Sequence, residues 1–189
     1  MARRSIAKSS LVSAIEKVGR NGPLTIVTVE HLLSPAHAAS PAVTEQQTFY
    51  LAGLPQPGTP PAPKPEAPDL PKGGTTKVVT PDEVMLFQYS ALGFNTHRIH
   101  FDRDYARGVE GHPDLVVNGG LASLLASEFV RCDLSLRLKS LTSRHLAPLY
   151  VNRPITILLT TEAKGVGTIL LLDDGGIVAA ELAVTFDDL

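Results

Sequence analysis

The chain has 189 residues, 43% of them hydrophobic, 19% charged and 5% aromatic, with a formal net charge of −2, an isoelectric point near 6.3 and a mean hydropathy of +0.10. That length can bury one sizeable core and a small second unit. The charge and the few aromatics supply neither the basic field nor the stacking surface of a nucleic-acid binder, and no apolar run approaches the roughly 18 residues of a membrane-spanning helix, so neither nucleic acid nor a membrane is an expected partner.

The start, MARRSIAKSSLVSAIEKVG, is basic, rich in serine and free of acids before Glu16, which is also how a mitochondrial presequence looks. A strand reading competes with it and is preferred, because the alternation runs on through Thr25, Val27 and Val29. Strands are predicted over Ile6–Val18, Leu24–Leu33 and Val43–Leu51, the first two joined by the turn signal Arg20-Asn21-Gly22-Pro23. Residues 52–76 then hold eight prolines between Pro55 and Pro71. Such a segment forms an extended tether rather than a core, so a domain boundary is expected there.

From Lys77 the pattern changes. Thr80 reads as a helix N-cap with Pro81 at the first helical position and Asp82 and Glu83 in the first turn, opening the helix VMLFQYSAL. Asp102 opens a shorter helical segment to Val109. Gly119-Gly120 leads into LASLLASEFVRCDL, apolar on nearly every face and therefore expected to be a buried helix. The single cysteine of the chain, Cys132, falls in that run and reads as a buried, inert thiol. Strands follow at Ser135–Arg144, Ile155–Glu162, Thr168–Leu172 and Ile177–Phe186, with turns at 163–167 and 173–176. One central helix followed by long strands predicts an α+β architecture, an antiparallel sheet curled around the helix.

The chemistry concentrates in Gly93-Phe94-Asn95-Thr96-His97-Arg98-Ile99-His100-Phe101-Asp102. Asn95 and His100 lie five residues apart in a loop that follows a helix, and imidazole is the side chain suited to exchange a proton near neutral pH. An amide can orient a water but cannot accept its proton, so proton transfer falls to His100. Further on, Val116-Val117-Asn118-Gly119-Gly120-Leu121 places glycines at a helix start, where free backbone N–H groups and the helix dipole can stabilise an oxyanion; the other reading of the pair is a plain loop-to-helix hinge.

The stretch SALGFNTHRIHFDRDYARGVEGHPDLVVNGGLASLLASEF resembles the core signature of the MaoC-like hot-dog hydratases, in particular the branch of mesaconyl- and itaconyl-CoA hydratases and type 2 3-hydroxyacyl-thioester dehydratases. The resemblance implies a hot-dog fold and assigns Asn95 and His100 to holding the water that adds across an enoyl thioester. It sets the thioester carbonyl against the N–H groups of Gly119 and Gly120. It requires no metal and no redox cofactor, the acyl group arriving as a coenzyme A or acyl-carrier-protein thioester. Asn118, counted with Gly119 and Gly120 among the thioester-binding residues, and Gly120 stand where the family usually has histidine and proline.

By the same resemblance residues 77–189 form a complete hot-dog domain, and residues 1–51 resemble the last strands of a first one, joined by the 52–76 linker. Either another chain completes that partial unit or the sequence is a piece of a longer reading frame. His97, Arg98 and Arg144 are candidates for binding phosphates of the thioester carrier, with plain surface charge as the alternative. Asp102 reads as a helix cap, and Glu110, His112 and Asp114 as solvated loop groups rather than metal ligands. A hydratase or dehydratase is the leading function; a non-catalytic acyl-thioester-binding subunit and a thioesterase stay open. Exposed sheet edges point to a homodimer or a hot-dog partner subunit, in the cytoplasm or the mitochondrial matrix.

Overall fold

The computed structural model describes residues 5–19, 22–53, 70–71 and 73–188, in two compact units, Met1–Thr59 and Pro60–Leu189. Most of the predicted proline-rich tether, residues 54–69 and 72, lies outside the described residues, as do Arg20 and Asn21 of the first predicted turn.

The first unit is a three-stranded antiparallel sheet in the order β1-β2-β3, with β1 at Ser5–Gly19, β2 at Gly22–Pro35 and β3 at Val43–Ala52. Its alternating, β-branched sequence favours pairing over helix. Gly19 faces Gly22 and Ile15 faces Ile26 across the first hairpin, with a bulge between Leu11 and Ser13. Thr25 faces Leu51 across the second pair. None of its described residues is buried.

The second unit is a five-stranded antiparallel sheet in the order β4-β6-β7-β8-β5. The strands are β4 Thr75–Val79, β5 Leu136–His145, β6 Ile155–Ala163, β7 Val166–Leu172 and β8 Val178–Asp188. Tight turns set the register. Gly165 takes φ +73° between β6 and β7, and a Cβ there would stand 2.7 Å from the Phe186 carbonyl. Between β7 and β8, the Asp173 carboxylate accepts the N–H groups of Gly175 and Ile177 at 2.9 and 2.8 Å, an Asx turn that lets Gly176 reverse the chain at φ +77°. The edge strand β4 has no counterpart in the sequence reading, and β5 runs one residue further than predicted, which brings His145 into the strand end.

Three helices accompany this sheet: α1 Glu83–Leu92, α2 Arg103–Gly108 and α3 Gly119–Glu128, of which α3 packs on the strands β5 and β7. Leu121, Ala122, Ala126, Phe129 and Val130 share one core with Ile157, Leu159, Ile169, Leu171, Leu182 and Val184. Each of these Leu, Ile, Val and Phe side chains contributes about 1.5–3 kcal/mol by leaving water, so the layer of helix on sheet is where this unit's stability resides.

Three expectations change. The N-cap of α1 is Asp82, not Thr80: its carboxylate accepts the Met85 N–H at 2.8 Å, and a charged oxygen at the positive helix end outcompetes a hydroxyl two residues earlier. Helix α3 is not buried all round, since Leu124 is 47% exposed. Cys132 is exposed rather than buried. The cause is a single wide turn over Phe129–Asp133, closed by Leu134 N–H to Phe129 O at 3.2 Å, which shifts the phase of the apolar face. The thiol donates to Glu128 at 3.3 Å, and that carboxylate, followed by desolvation, raises its pKa.

Candidate active site

The end of α1 delivers the Asn95 loop. The Asn95 N–H bonds Ser90 O at 2.9 Å and the Phe94 N–H bonds Ala91 O at 3.4 Å, the paired closure of a Schellman motif, with Phe94 rather than a glycine in the left-handed position at φ +50°. Ser90 is buried, and its hydroxyl accepts from Asn118 Nδ2 at 3.1 Å. One residue thus fixes the Asn95 backbone through its carbonyl and the start of α3 through its side chain.

A turn of 3₁₀ helix, Arg98–His100, follows. It is sewn to the segment before α3 by Val116 N–H to Ile99 O at 2.9 Å, and that segment is sewn to the next by Val117 N–H to Leu149 O at 2.8 Å. His100 is 7% exposed, with Nδ1 2.7 Å from Val116 O. A carbonyl oxygen only accepts, so Nδ1 carries the proton and the neutral ring keeps its lone pair on Nε2. Burial lowers the His100 pKa; the Val116 bond opposes this, His97 adds to it and Glu110 opposes it. His100 is therefore a neutral base at physiological pH.

Asn118 is 1% exposed and does not cap the helix it precedes. Its amide is spent on Ser90, and its Oδ1 has no hydrogen-bond partner among the described residues. The backbone N–H groups of Gly119 and Gly120 precede the bond from Ala122 N–H to Asn118 O at 3.0 Å, in the part of a helix whose donors have no intrahelical acceptor. The two glycines meet different neighbours. The Tyr89 phenol occupies the space a side chain at Gly120 would need, whereas a Cβ on Gly119 would lie 3.2 Å from His145 Nε2.

A cavity of about 340 Å³ opens here, lined by His100, Val117, Gly119, Ala122, His145 and Leu149 among others. Of the residues singled out in the sequence, His100 and Gly119 line it. Asn95, Asn118 and Gly120 are not among its lining residues, and the Asn95 side chain accepts from the His97 N–H at 3.1 Å. His97, Arg98 and Arg144 are held elsewhere. His97 pairs with Glu110 at 2.7 Å, Arg98 pairs with Asp102 at 2.6 Å and covers the Tyr105 ring at 4.3 Å, and Arg144 pairs with Glu181 at 2.7 Å.

Glu110, His112 and Asp114 are not the solvated loop groups expected: their side chains are 15%, 25% and 24% exposed. Asp114 is gripped by Arg103 and Arg107 at 2.7 and 3.2 Å, so paired charges fold the loop inward. Among the described residues no group of three or more His, Cys, Asp or Glu is placed to hold a metal ion. Asp102 does cap α2, accepting the Tyr105 N–H at 2.9 Å.

Sequence reasoning missed Ser90, Tyr89 and His145. The first two act across contacts between α1 and α3 that no local pattern announces. His145 had a weak signal, an imidazole at a predicted strand end beside the apolar LAPLY.

Residues 3–151 match the family model of hydroxyacyl-thioester dehydratase type 2. The chain is 41% identical over 145 residues to the mesaconyl-C(4)-CoA hydratase of Chloroflexus aurantiacus, covering 76% of this chain and 50% of that protein. It is 38% identical over 86 residues to the mitochondrial hydroxyacyl-thioester dehydratase type 2 of Schizosaccharomyces pombe, covering 44% of this chain and 29% of that protein. These alignments span half or less of the length of the curated relatives. Among solved structures, a MaoC-like dehydratase from Phytophthora capsici matches with a TM-score of 0.72 at 15% identity, over 98% of this chain and 65% of that one. At that identity the likeness shows the fold, and the fold is the hot-dog: a helix held in a curled antiparallel sheet.

Proposed function

The chain belongs to the hydroxyacyl-thioester dehydratase type 2 family, and from that premise we propose that it is a hydro-lyase, adding or removing water across the 2,3 bond of an enoyl or 3-hydroxyacyl thioester. The observation that carries the reading is a buried, neutral imidazole with a free Nε2 in the same cavity as the first residue of α3.

In hydration, His100 Nε2 takes a proton from water as the water oxygen bonds to C3 of the enoyl group. The electron pair of the 2,3 double bond moves toward C2 and the thioester oxygen. The Gly119 N–H and the positive end of α3 stabilise that developing negative charge. The proton on His100 then passes to C2, giving the 3-hydroxyacyl thioester and restoring the neutral base; dehydration reverses each step. Asn95, whose Oδ1 accepts the His97 N–H outside the cavity lining, is left no direct part in these steps and could not replace the base. These steps consume no oxidant or reductant, so the reading calls for no cofactor beyond the coenzyme A or carrier-protein arm of the substrate.

The acyl group in this reading is mesaconyl- or itaconyl-like, by analogy with the mesaconyl-C(4)-CoA hydratase, or a fatty 3-hydroxyacyl chain, by analogy with the hydroxyacyl-thioester dehydratases. The strands β4 and β5, each paired on one side only, support association as a homodimer or with a hot-dog partner subunit. Among the described residues no helix is long and apolar enough to cross a membrane; we place the protein in the cytoplasm, with the mitochondrial matrix as the alternative. A non-catalytic thioester-binding subunit is the second reading, favoured by the Tyr89 phenol lying over Gly120. A thioesterase wants a carboxylate aimed at the carbonyl, and the cavity lining carries none.

Incubation with crotonyl-, mesaconyl- and itaconyl-CoA, following enoyl absorbance alongside free thiol, tests the proposal. Absorbance lost without thiol release is the expected result. Thiol release would replace the reading with a thioesterase, and binding without turnover would favour the non-catalytic subunit.

A further inference from the structure

The cavity holds a second imidazole that the mechanism above does not use. His145 ends β5 and lines the cavity together with His100 and Gly119. The Nε2 edge of its ring faces the start of α3: Cε1, Nε2 and Cδ2 all stand 3.2–3.3 Å from where a Gly119 Cβ would be. A larger residue than glycine would push this ring away. The imidazoles of His97 and His100 are each committed to a partner at 2.7 Å, whereas neither ring nitrogen of His145 has a hydrogen-bond partner among the described residues.

We propose that His145 is a second catalytic residue of the cavity, donating a hydrogen bond from Nε2 to the thioester oxygen beside the Gly119 N–H. The inference rests on the hydro-lyase reading and deepens it. With Gly120 outside the cavity lining, the backbone of Gly119 alone would have to stabilise the enolate oxygen from this helix start. An imidazole N–H against the same residue supplies a further donor where that charge develops. His145 is exposed, yet enough protein surrounds the ring for desolvation to lower its pKa, and the positive end of a ten-residue helix acts in the same direction. The ring is thus neutral at physiological pH, with one N–H to donate and no proton to lose to the substrate. The other titratable side chain lining the cavity is His100, whose lone pair faces the water. The two imidazoles divide the work: His100 moves the proton and His145 holds the oxygen.

The test compares wild type, His145→Ala and His145→Gln in two assays. In turnover of crotonyl-CoA, His145→Ala lowers kcat by about 10²-fold, the loss typical of one oxyanion donor, with little change in KM or melting temperature. His145→Gln, which keeps an N–H donor, recovers part of it. In binding, wild type prefers butyryl-CoA to its thioether analogue S-butyl-CoA, which lacks the carbonyl, and His145→Ala narrows that preference while leaving thioether affinity unchanged. A near-normal kcat in His145→Ala, or equal losses for thioester and thioether, overturns the inference. Wild-type inactivity on every enoyl thioester sinks the hydro-lyase reading instead; the binding preference then still decides whether His145 holds the carbonyl.

Discussion

Two antiparallel sheets share this chain and differ in what they enclose. The sheet of β1–β3 pairs over long registers, up to fourteen residues in β2, without burying one of its described residues. The sheet of β4–β8 buries four residues in each of β6 and β7, several of them in one core with α3. Strand pairing needs only an alternating sequence and a turn. A rigid cavity needs a packed layer, because side chains and helix ends keep fixed positions only when their neighbours are close-packed. The candidate chemistry accordingly sits on the second sheet's side, where α3 starts against the core.

Truncating one side chain in each sheet separates the two most clearly. Leu182 is fully buried and Leu11 is 67% exposed. Leu182→Ala should cost about 2–5 kcal/mol, and Leu11→Ala no more than about 0.5 kcal/mol, both read from urea unfolding; equal effects would mean that the first sheet has a core of its own. A smaller effect tests the contact between α1 and α3. Gly120→Ala drives a methyl into the Tyr89 phenol and should destabilise by about 1–3 kcal/mol. The double variant Gly120→Ala with Tyr89→Phe should recover part of this, and an unperturbed single variant would contradict the packing.

The smallest effect is one of pH. His100, His112 and His145 are all held below the ordinary imidazole range, in each case chiefly by burial. The unfolded chain therefore binds these protons first, near pH 6.5, as acid is added. Stability is complete above that value and falls as pH drops below it toward the lowered folded pKa values. The melting temperature of the second unit should decline from about pH 7 to about pH 5, and a flat profile would mean that the imidazoles are solvated.

Much of the fold was legible because strands and helices announce themselves by period. The three strands of the first sheet and the last four of the second lie within a residue or two of their predicted bounds, and Asp102 caps a helix as its position implied. The short edge strand β4 was hidden: TTKVV carries too few residues to set a period and needs β6 beside it to form. The inward fold of Glu110, His112 and Asp114 was hidden too, because the arginines that neutralise Asp114 come from α2. At the site, His100 stood out by residue type and spacing. Asn118 drew notice as a departure, yet its bond to Ser90, 28 residues away, could not be read from either local pattern. The cavity itself joins His100, Gly119 and His145 from three separate segments, and only the packing of α3 on the sheet makes them neighbours.

If His100 is the base of a hydro-lyase, hydration depends on its imidazole. The most direct measurement is the rate of crotonyl-CoA hydration by wild type and by His100→Ala, with melting temperatures recorded for both. Hydration by wild type that falls by about 10²–10⁴-fold in the variant, with the fold retained, is the predicted result. Near-normal turnover in a folded His100→Ala protein would mean that His100 is not the base.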